Sequence, residues 1–384
     1  MLKKRFKMFD LWILIPFLSL ILFSIIAVYS ASSFISLADY GHPNHYLIRQ
    51  VTFVVVSIVM GAFFYIFPFK AMRNTKFIQL GTIIIFALLV LVLFLPPILG
   101  ARRWIPFPVF NIQPAEFAKV FIIWYLAYIF SRNQKGLEDD FFRTAFRPGV
   151  LVGLIVMLVL EQPDTGTAII SGMIILMMLS SSGASVKYGL IFFFGSAIIA
   201  GLAIYIVYNF GDVLFGGDYR YERFLGWFDP FGNYESDGHQ LVNSYYALNR
   251  GGWFGVGIGN SVQKTGYLPF PYTDFIMAIV GEEVGLIGVG FVLSNLGILI
   301  GRSFYLGSKA TDTFNSLICI GVGSMLLVQS LVNLAGVTGL LPITGVTFPL
   351  LSYGGSSLLA ISISLALVAN ASTNDRLKQA KMKS

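Results

Sequence analysis

The chain has 384 residues, of which 56% are hydrophobic and only 12% are charged. Because a soluble domain carries about 25% charged residues, this composition excludes an ordinary soluble protein and indicates a membrane protein. The formal net charge is +7.

Long apolar runs recur along the chain, each near the ~20 residues that a helix needs to cross the hydrocarbon core. They predict an all-α polytopic membrane protein with about ten transmembrane helices. The first run is longer than the core of a signal peptide, which favours an uncleaved span. Residues 162–164 barely separate the fifth and sixth runs, so these are either two helices joined by a tight turn or one broken segment. The runs are 11–31, 46–68, 77–95, 114–131, 148–161, 165–182, 187–208, 273–301, 313–335 and 347–371.

The basic residues follow a topological pattern. Most of the 26 lysine and arginine residues lie before the first run, in alternate loops and after the last run. The positive-inside rule therefore predicts one transmembrane domain over 1–384, with a cytoplasmic N-terminus (1–10) and a cytoplasmic tail (372–384). The same charge distribution predicts attraction to anionic membrane lipid and argues against nucleic-acid binding.

Two connections on the opposite, extracellular side stand out. The first, 209–272, is a large loop between spans seven and eight, and loops of this length are usually functional. The second, 336–355, reads GVTGLLPITGVTFPLLSYGG. Its glycines and prolines predict irregular backbone dipping into the membrane, which is tolerated only where it is buried in protein or lines a wet cavity.

The fourth run contains two charged residues at membrane depth. Glu116 and Lys119 are three positions apart and share a helix face. They are either a mutually neutralising pair that locks helix packing, or a cavity pair in which Lys119 meets an anionic ligand. Both interpretations remain open from the sequence.

The outer turns near this run carry further candidates. Arg102 and Arg103 precede it, and arginine suits bidentate phosphate contacts. The alternative is that they snorkel to the headgroups beside Trp104. Asp164, in the turn after the fifth run, either caps the next helix or faces a site.

The segment 268–275, LPFPYTDF, leads into the eighth run. Asp274 is either a first-turn acid favoured by the helix dipole or a general base at the membrane surface. At least one of Glu282 and Glu283, which lie deeper, should be paired or protonated. Small and polar residues on one helix face predict contact with protein or a cavity, and this stripe comprises Asp274, Ala278, Gly281, Glu282 and Gly285.

Several motifs in order identify the chain as resembling the SEDS family, the shape, elongation, division and sporulation proteins of bacteria. The motifs are VYSAS (28–32), GARRWIPF, QPAEFAK, QPDTGTA, YRYERF, GNSVQK, LPFPYTDFIMAIVGEE and LPITGVTFPLLSYGGSS. GNSVQK and GVTFP look more like division members than elongation members. The chain departs from many relatives at Phe270 and Tyr272, which replace Glu and His, and at Val262, which replaces Arg.

The resemblance implies a SEDS-type fold and an enzyme that polymerises glycan strands of peptidoglycan from lipid II. It places the catalytic acidic residue at Asp274 and a polar cavity around Arg103, Glu116, Lys119 and Asp164. The full set of expected substrate-binding residues is Arg102, Arg103, Glu116, Lys119, Asp164, Arg220, Arg223, Gln240, Lys264 and Ser352.

The implied partners are lipid II, the polyprenyl-diphosphate-linked glycan, a class B penicillin-binding protein and other divisome proteins. The implied location is the plasma membrane at the bacterial division septum. No resident metal site is expected, although a divalent cation, Mg²⁺ or Mn²⁺, would suit the diphosphate chemistry.

Two other functions and one other role remain open. The chain is alternatively a lipid II flippase or transporter, or a non-catalytic scaffold for the penicillin-binding protein. Its role is alternatively elongation rather than division. A flippase should carry polar groups at several depths, whereas the visible ones cluster outward.

Overall fold

The computed structural model describes residues 5, 8–98, 100–107, 111–215, 219–235 and 238–382. Most of this part of the chain is helical. A single two-residue antiparallel pair, β1 (Ile105–Pro106) with β2 (Asn111–Ile112), is the only paired sheet within the described ranges.

The described helices include nine that are long and apolar enough to cross a membrane, and a shorter apolar one, α8. The prediction of an all-α polytopic membrane protein is confirmed. In chain order the helices are α1 (Leu11–Tyr40), α2 (His45–Ile66), α3 (Phe69–Met72), α4 (Thr75–Leu93), α5 (Pro114–Arg132), α6 (Gln134–Asp139), α7 (Phe141–Glu161), α8 (Thr165–Ser180), α9 (Val186–Phe215), α10 (Tyr219–Phe228), α11 (Gly238–Gly251), α12 (Ile276–Lys309), α13 (Thr313–Val337) and α14 (Gly355–Met382).

Local sequence signals explain where these helices begin and end. Asp10, Asp164 and Asp312 each accept a hydrogen bond from a backbone N–H in the first turn of the following helix. Pro114 occupies the first turn of α5, where its missing N–H costs nothing. Gly41 closes α1 with a φ of 71°, in the left-handed region that favours glycine.

The core of the bundle is formed by α5, α13 and α14, most of whose residues are buried. α13 packs against α12, α5 and α8, while α14 packs against α2. No residue in the most apolar part of α9 is buried, so this helix lies at the periphery. Helices with polar residues on several faces are thus central, and apolar helices face lipid.

The structure selects one of the two alternatives that the sequence left open for the fifth and sixth runs, and it moves the start of the last span. The fifth and sixth runs are two separate helices, α7 and α8, joined at 162–164. The helix of the tenth apolar run, α14, starts at Gly355 and not at 347. Residues 338–354 are instead irregular, and Gly339 and Gly345 have φ values of 74° and 69°. The segment 209–272 contains the end of α9, then α10, α11 and a π-helical turn, Gln263–Tyr267.

Candidate active site

Asp274 lies immediately before α12, at the end of the bundle that carries 209–272, which we call the loop end. Its carboxylate is partly buried and accepts a hydrogen bond from Thr273 Oγ1 at 2.7 Å. Its backbone carbonyl accepts one from Asn333 Nδ2 of α13, also at 2.7 Å. The side chain is therefore held at the junction of α12 and α13.

Two arginines predicted from the sequence influence this carboxylate. Burial raises the pKa of Asp274 above its ordinary value, and the positive charges of Arg223 and Arg103 partly oppose that rise. Arg223 Nη1 also donates to the backbone carbonyl of Ile343 at 3.1 Å. The structure thus places a carboxylate of raised pKa in the field of two guanidinium groups.

The irregular segment 338–354 packs against Asp274 and is fixed by amide side chains of α13. Asn333 Nδ2 donates to the carbonyl of Val346 at 2.7 Å. Gln329 Nε2 donates to the carbonyl of Thr347 at 3.0 Å. Buried backbone carbonyls outside helices need hydrogen-bond donors. The amide side chains of α13 supply these donors to the irregular segment.

Glu116 and Lys119 form a buried ion pair in the first two turns of α5. The Nζ of Lys119 lies 3.0 Å from Glu116 Oε1 and donates to Gln329 Oε1 at 2.8 Å. Lys119 is 0% exposed and Glu116 is 4% exposed. Lys119 therefore connects to the irregular segment through Gln329.

Asp164 has the predicted capping role and also contacts the residue before α5. It caps α8 by accepting from Thr167 N at 3.2 Å, and it accepts from Gln113 Nε2 at 2.6 Å. Two positions later, a Cβ added to Gly166 would lie 2.5 Å from Val346 Cγ2. The start of α8 thus packs against the irregular segment, and only glycine allows that approach.

The other predicted residues lie apart from this cluster or within its supports. Ser352 accepts from Phe348 N at 2.8 Å inside the irregular segment. Arg102 is exposed and donates to the carbonyl of Leu93 at 3.2 Å. Gln240 is partly buried in the first turn of α11. The side chain of Arg220 lies outside the described part of the chain.

Lys264 belongs to a second buried polar cluster around two adjacent glutamates of α12. Its Nζ lies 2.6 Å from Glu283 Oε1, and Ser30 of α1 donates to the same carboxylate at 2.7 Å. Glu282 pairs with Arg250 at 3.1 Å and accepts from Val262 N at 3.0 Å. Both glutamates are paired, as expected for carboxylates at this depth.

The run GGWFGVGIG (251–259) docks on α12 next to this cluster. Val256 N and Gly257 N donate to the carbonyls of Glu282 and Glu283 at 3.0 and 2.9 Å. A Cβ at Gly251 would lie 1.9 Å from the carbonyl oxygen of Gly281. Glycine is therefore required for backbone to pack on backbone, and the predicted stripe of small residues on α12 faces protein.

Tyr272, one of the departures from the family pattern, joins three segments. Its hydroxyl donates to Tyr46 of α2 at 3.0 Å, and its carbonyl accepts from Tyr353 N at 2.8 Å. It is 5% exposed. Tyr272 therefore fixes the non-helical segment before Asp274 to α2 and to the irregular segment.

Gln329 and Asn333, which hold the irregular segment in place, are not among the residues predicted from the sequence. They are four residues apart on α13 and so share one face. Two uncharged amides at helical spacing within an apolar run were a readable signal, because polar side chains in a membrane face protein or a cavity. No three His, Cys, Asp or Glu side chains converge as metal ligands in the described ranges.

The chain is similar to known proteins along almost its whole length. The sequence profile of the FtsW/RodA/SpoVE family, described as cell cycle protein, matches residues 11–377. A Bacillus subtilis (strain 168) protein named probable peptidoglycan glycosyltransferase FtsW is 39% identical over 388 residues, covering 100% of this chain and 95% of that protein. A Lactococcus lactis protein of the same name is 39% identical, covering 96% and 93%.

A solved structure shares the fold over almost the whole chain. It is described as structural coordination of polymerization and crosslinking by a peptidoglycan synthase complex. The TM-score is 0.75 at 25% identity, and the match covers 96% of this chain and 98% of that one.

Proposed function

The chain is a member of the FtsW/RodA/SpoVE family, and on that premise we propose that it is a peptidoglycan glycosyltransferase that polymerises lipid II into glycan strands. The relatives that support this activity carry it in their names.

One arrangement carries the assignment: the partly buried Asp274 carboxylate is held at the junction of α12 and α13 and lies in the electrostatic field of Arg223 and Arg103. A general base works best when its pKa approaches the operating pH, and burial moves a carboxylate in that direction. Preorganised cations stabilise negative charge that develops on a leaving group. Base and cations thus lie together at the loop end.

The reaction joins a growing glycan to a new lipid II. The 4-hydroxyl oxygen of the acceptor sugar attacks the anomeric carbon of the donor, and the bond from that carbon to the diphosphate oxygen breaks. Asp274 takes the hydroxyl proton. The polyprenyl diphosphate leaves with the bonding electrons, and Arg103 and Arg223 offset its charge. Attack opposite the leaving group inverts the anomeric carbon, by analogy with inverting glycosidases.

In the proposed reaction, a divalent cation would bind only together with the substrate. Mg²⁺ is commonly held by one or two carboxylates together with substrate phosphates. Asp274 is the carboxylate that this cluster offers, and the described residues contain no group of three metal-ligating side chains. Mg²⁺ or Mn²⁺ would therefore be bound mainly through the diphosphate, whose charge it would help to neutralise.

We also propose a partner protein and a cellular location for this chain. The similar solved structure coordinates polymerization with crosslinking, which supports a class B penicillin-binding protein as the partner here. If α8 crosses the membrane together with the nine long helices, the number of crossings is even and both termini lie on one side. The basic residues favour the cytoplasm for that side. The names of the relatives support a division role at the septum alongside other divisome proteins.

A flippase or a non-catalytic scaffold fits the polar groups less well. The polar clusters around Asp274 and around Glu283 both lie near the start of α12, at the loop end. Lys119 and Glu116 are sealed by Gln329 instead of lining an open path. A transport route would need polar groups spread through the depth of the membrane.

The test is polymerisation of labelled lipid II by the chain purified with its class B penicillin-binding protein, with and without Mg²⁺ or Mn²⁺. Products would be resolved on a gel beside Asp274→Asn. Asp229→Asn is a matched control, because Asp229 is exposed in the same outer segment. Size-exclusion profiles and melting temperatures would establish that each variant is folded.

We expect a ladder of polymer from the wild type and from Asp229→Asn, and none from folded Asp274→Asn. Polymer from Asp274→Asn would keep the enzyme but remove Asp274 as the base. No polymer from a folded wild-type complex, where a known polymerase works, would favour the flippase or scaffold.

A further inference from the structure

An apolar cavity of about 340 Å³ lies at the opposite end of the bundle from Asp274, between α1, α2 and α14. Its size falls within the ~300–1,000 Å³ of ligand pockets. Ile13, Leu365 and Ala369 form buried parts of its wall, while Leu11 and Ile58 on its rim are exposed on the surface of the bundle. The cavity therefore opens toward the lipid.

The position of the cavity follows from α2. Tyr46, near the start of this helix, contacts Tyr272 beside the candidate active site. Tyr65, near its end, lines the cavity, and it lies about 28 Å farther along the helix axis at 1.5 Å per residue. The cavity is thus near the membrane surface where α1 begins and α14 ends, which the positive-inside pattern makes cytoplasmic.

Arg5, Arg302 and Arg376 lie at this end of the bundle, and Asp10 is the one carboxylate that forms an ion pair with any of them among the described residues. Arg302 and Arg376 both pair with Asp10, the first at 2.6 Å. Asp10 directly precedes the rim residue Leu11. The guanidinium charge at this mouth therefore exceeds the carboxylate charge.

Arg5 supplies the excess charge closest to the cavity wall. Its Nη2 donates to the carbonyl of Tyr65 at 3.1 Å and to Asn370 Oδ1 at 2.7 Å, and its guanidinium lies 5.6 Å from the centre of the Tyr65 ring. These partners are uncharged. The Nε of Arg5 is buried and has no hydrogen-bond partner among the described residues. A buried donor without an acceptor indicates a missing partner.

We propose that this cavity binds one acyl chain of an anionic phospholipid of the cytoplasmic leaflet, whose phosphate meets Arg5. The apolar walls suit a hydrocarbon chain, and the excess guanidinium charge suits a phosphate. The cytoplasmic leaflet supplies anionic headgroups at this depth. The polyprenyl chain of the substrate is a poorer occupant, because its diphosphate would belong at the other end of the bundle.

Gly61 offers a clean way to fill the cavity. It lines the cavity on α2, and a Cβ added there would meet only the carbonyl oxygen of Ser362, at 3.8 Å. Gly61→Phe would therefore place its ring in the cavity without a backbone clash. Gly153→Phe is the matched control, because Gly153 is an exposed helical glycine on α7 with no atom within 4 Å of its added Cβ.

The experiment is native mass spectrometry of the delipidated full chain after addition of equal amounts of phosphatidylglycerol and phosphatidylcholine with the same acyl chains. We expect the wild type and Gly153→Phe to retain one phosphatidylglycerol with at least about fivefold preference. Gly61→Phe should lose that lipid. Arg5→Gln should retain a lipid but lose about fivefold in preference for the anionic headgroup.

Several results would overturn the proposal. Equal retention of the two lipids by the wild type would remove the anionic site, and full retention by folded Gly61→Phe would place the lipid elsewhere. Displacement of phosphatidylglycerol by an added polyprenyl phosphate would make the occupant an isoprenoid. If Gly61→Phe fails to elute as a folded protein, Ala62→Phe, on the same wall, takes its place.

Discussion

The buried pair of Glu116 and Lys119 allows a quantitative test of what holds the centre of the bundle together. The Nζ of Lys119 donates to Glu116 Oε1 at 3.0 Å and to Gln329 Oε1 at 2.8 Å. Lys119→Met removes both bonds and leaves the Glu116 carboxylate buried without a cation. Removing one partner of a buried ion pair costs about 3–5 kcal/mol, so we expect the free energy of unfolding to fall by about that amount.

The double variant Glu116→Gln/Lys119→Met should lose less than the single one, because no uncompensated charge remains. Its main defect is Gln329 Oε1 without a donor, and an unsatisfied buried polar atom costs about 1–3 kcal/mol. The free energies would be measured by SDS titration in mixed micelles, with Val120→Met on the same helix as a control. A loss below about 1 kcal/mol for Lys119→Met, typical of exposed pairs, would refute the reasoning. So would a double variant as unstable as the two single variants added together.

Four further predictions concern the loop end and the opposite, basic end of the bundle. Burial raises the pKa of Asp274, and a general base must be deprotonated. As the pH is lowered, the polymerisation rate should therefore begin to fall at a pH above the ordinary carboxyl range. A raised pKa in the folded state also means that ionisation disfavours folding, so Asp274→Asn should raise the melting temperature at neutral pH; an unchanged value would contradict this. Asn333→Leu leaves the carbonyls of Asp274 and Val346 without donors. It should cost about 1–3 kcal/mol of unfolding free energy and reduce polymerisation, whereas Asn295→Leu on α12 should do neither. Desolvation raises the pKa of Asp312, but hydrogen bonds and charge from Arg73 outweigh it and hold the pKa below its usual value. This contribution to stability is present at neutral pH and is lost as the pH falls through that lowered pKa. Arg73→Gln should therefore lower the melting temperature, and its cost in unfolding free energy should be at most about 1 kcal/mol. The difference in melting temperature from the wild type should shrink in acid.

Hydropathy predicted the transmembrane helices well because each span is a local property of about 20 residues. It failed at the start of α14. Residues 347–354 are as apolar as a helix, yet Leu350 has a φ of 62° and the helix begins only at Gly355. Composition reports whether a segment prefers lipid, but α13 and its amides decide whether the backbone there is helical.

The candidate site was predictable where its partners are close in sequence. The spacing of Glu116 and Lys119 predicted their contact, and the apolar run that follows the segment 268–275 predicted the place of Asp274 at the start of a helix. The pairing of Lys264 with Glu283 and Ser30 was not predictable. It joins α1, the outer segment and α12, and no local pattern specifies which buried cation meets which buried carboxylate.

The two polar clusters flank the start of α12 and act on the same short stretch of helix. Asp274 and Glu282 are eight residues apart, about 12 Å along the axis. Below Asp274, Glu282 and Glu283 hold the chain from Arg250 to Lys264 through side-chain and backbone hydrogen bonds. Beside it, Asn333 holds both the Asp274 carbonyl and the irregular segment. A carboxylate on a helix end fixed from both sides keeps its position relative to Arg223 and Arg103. Such positional constraint is what a general base and its neighbouring cations require.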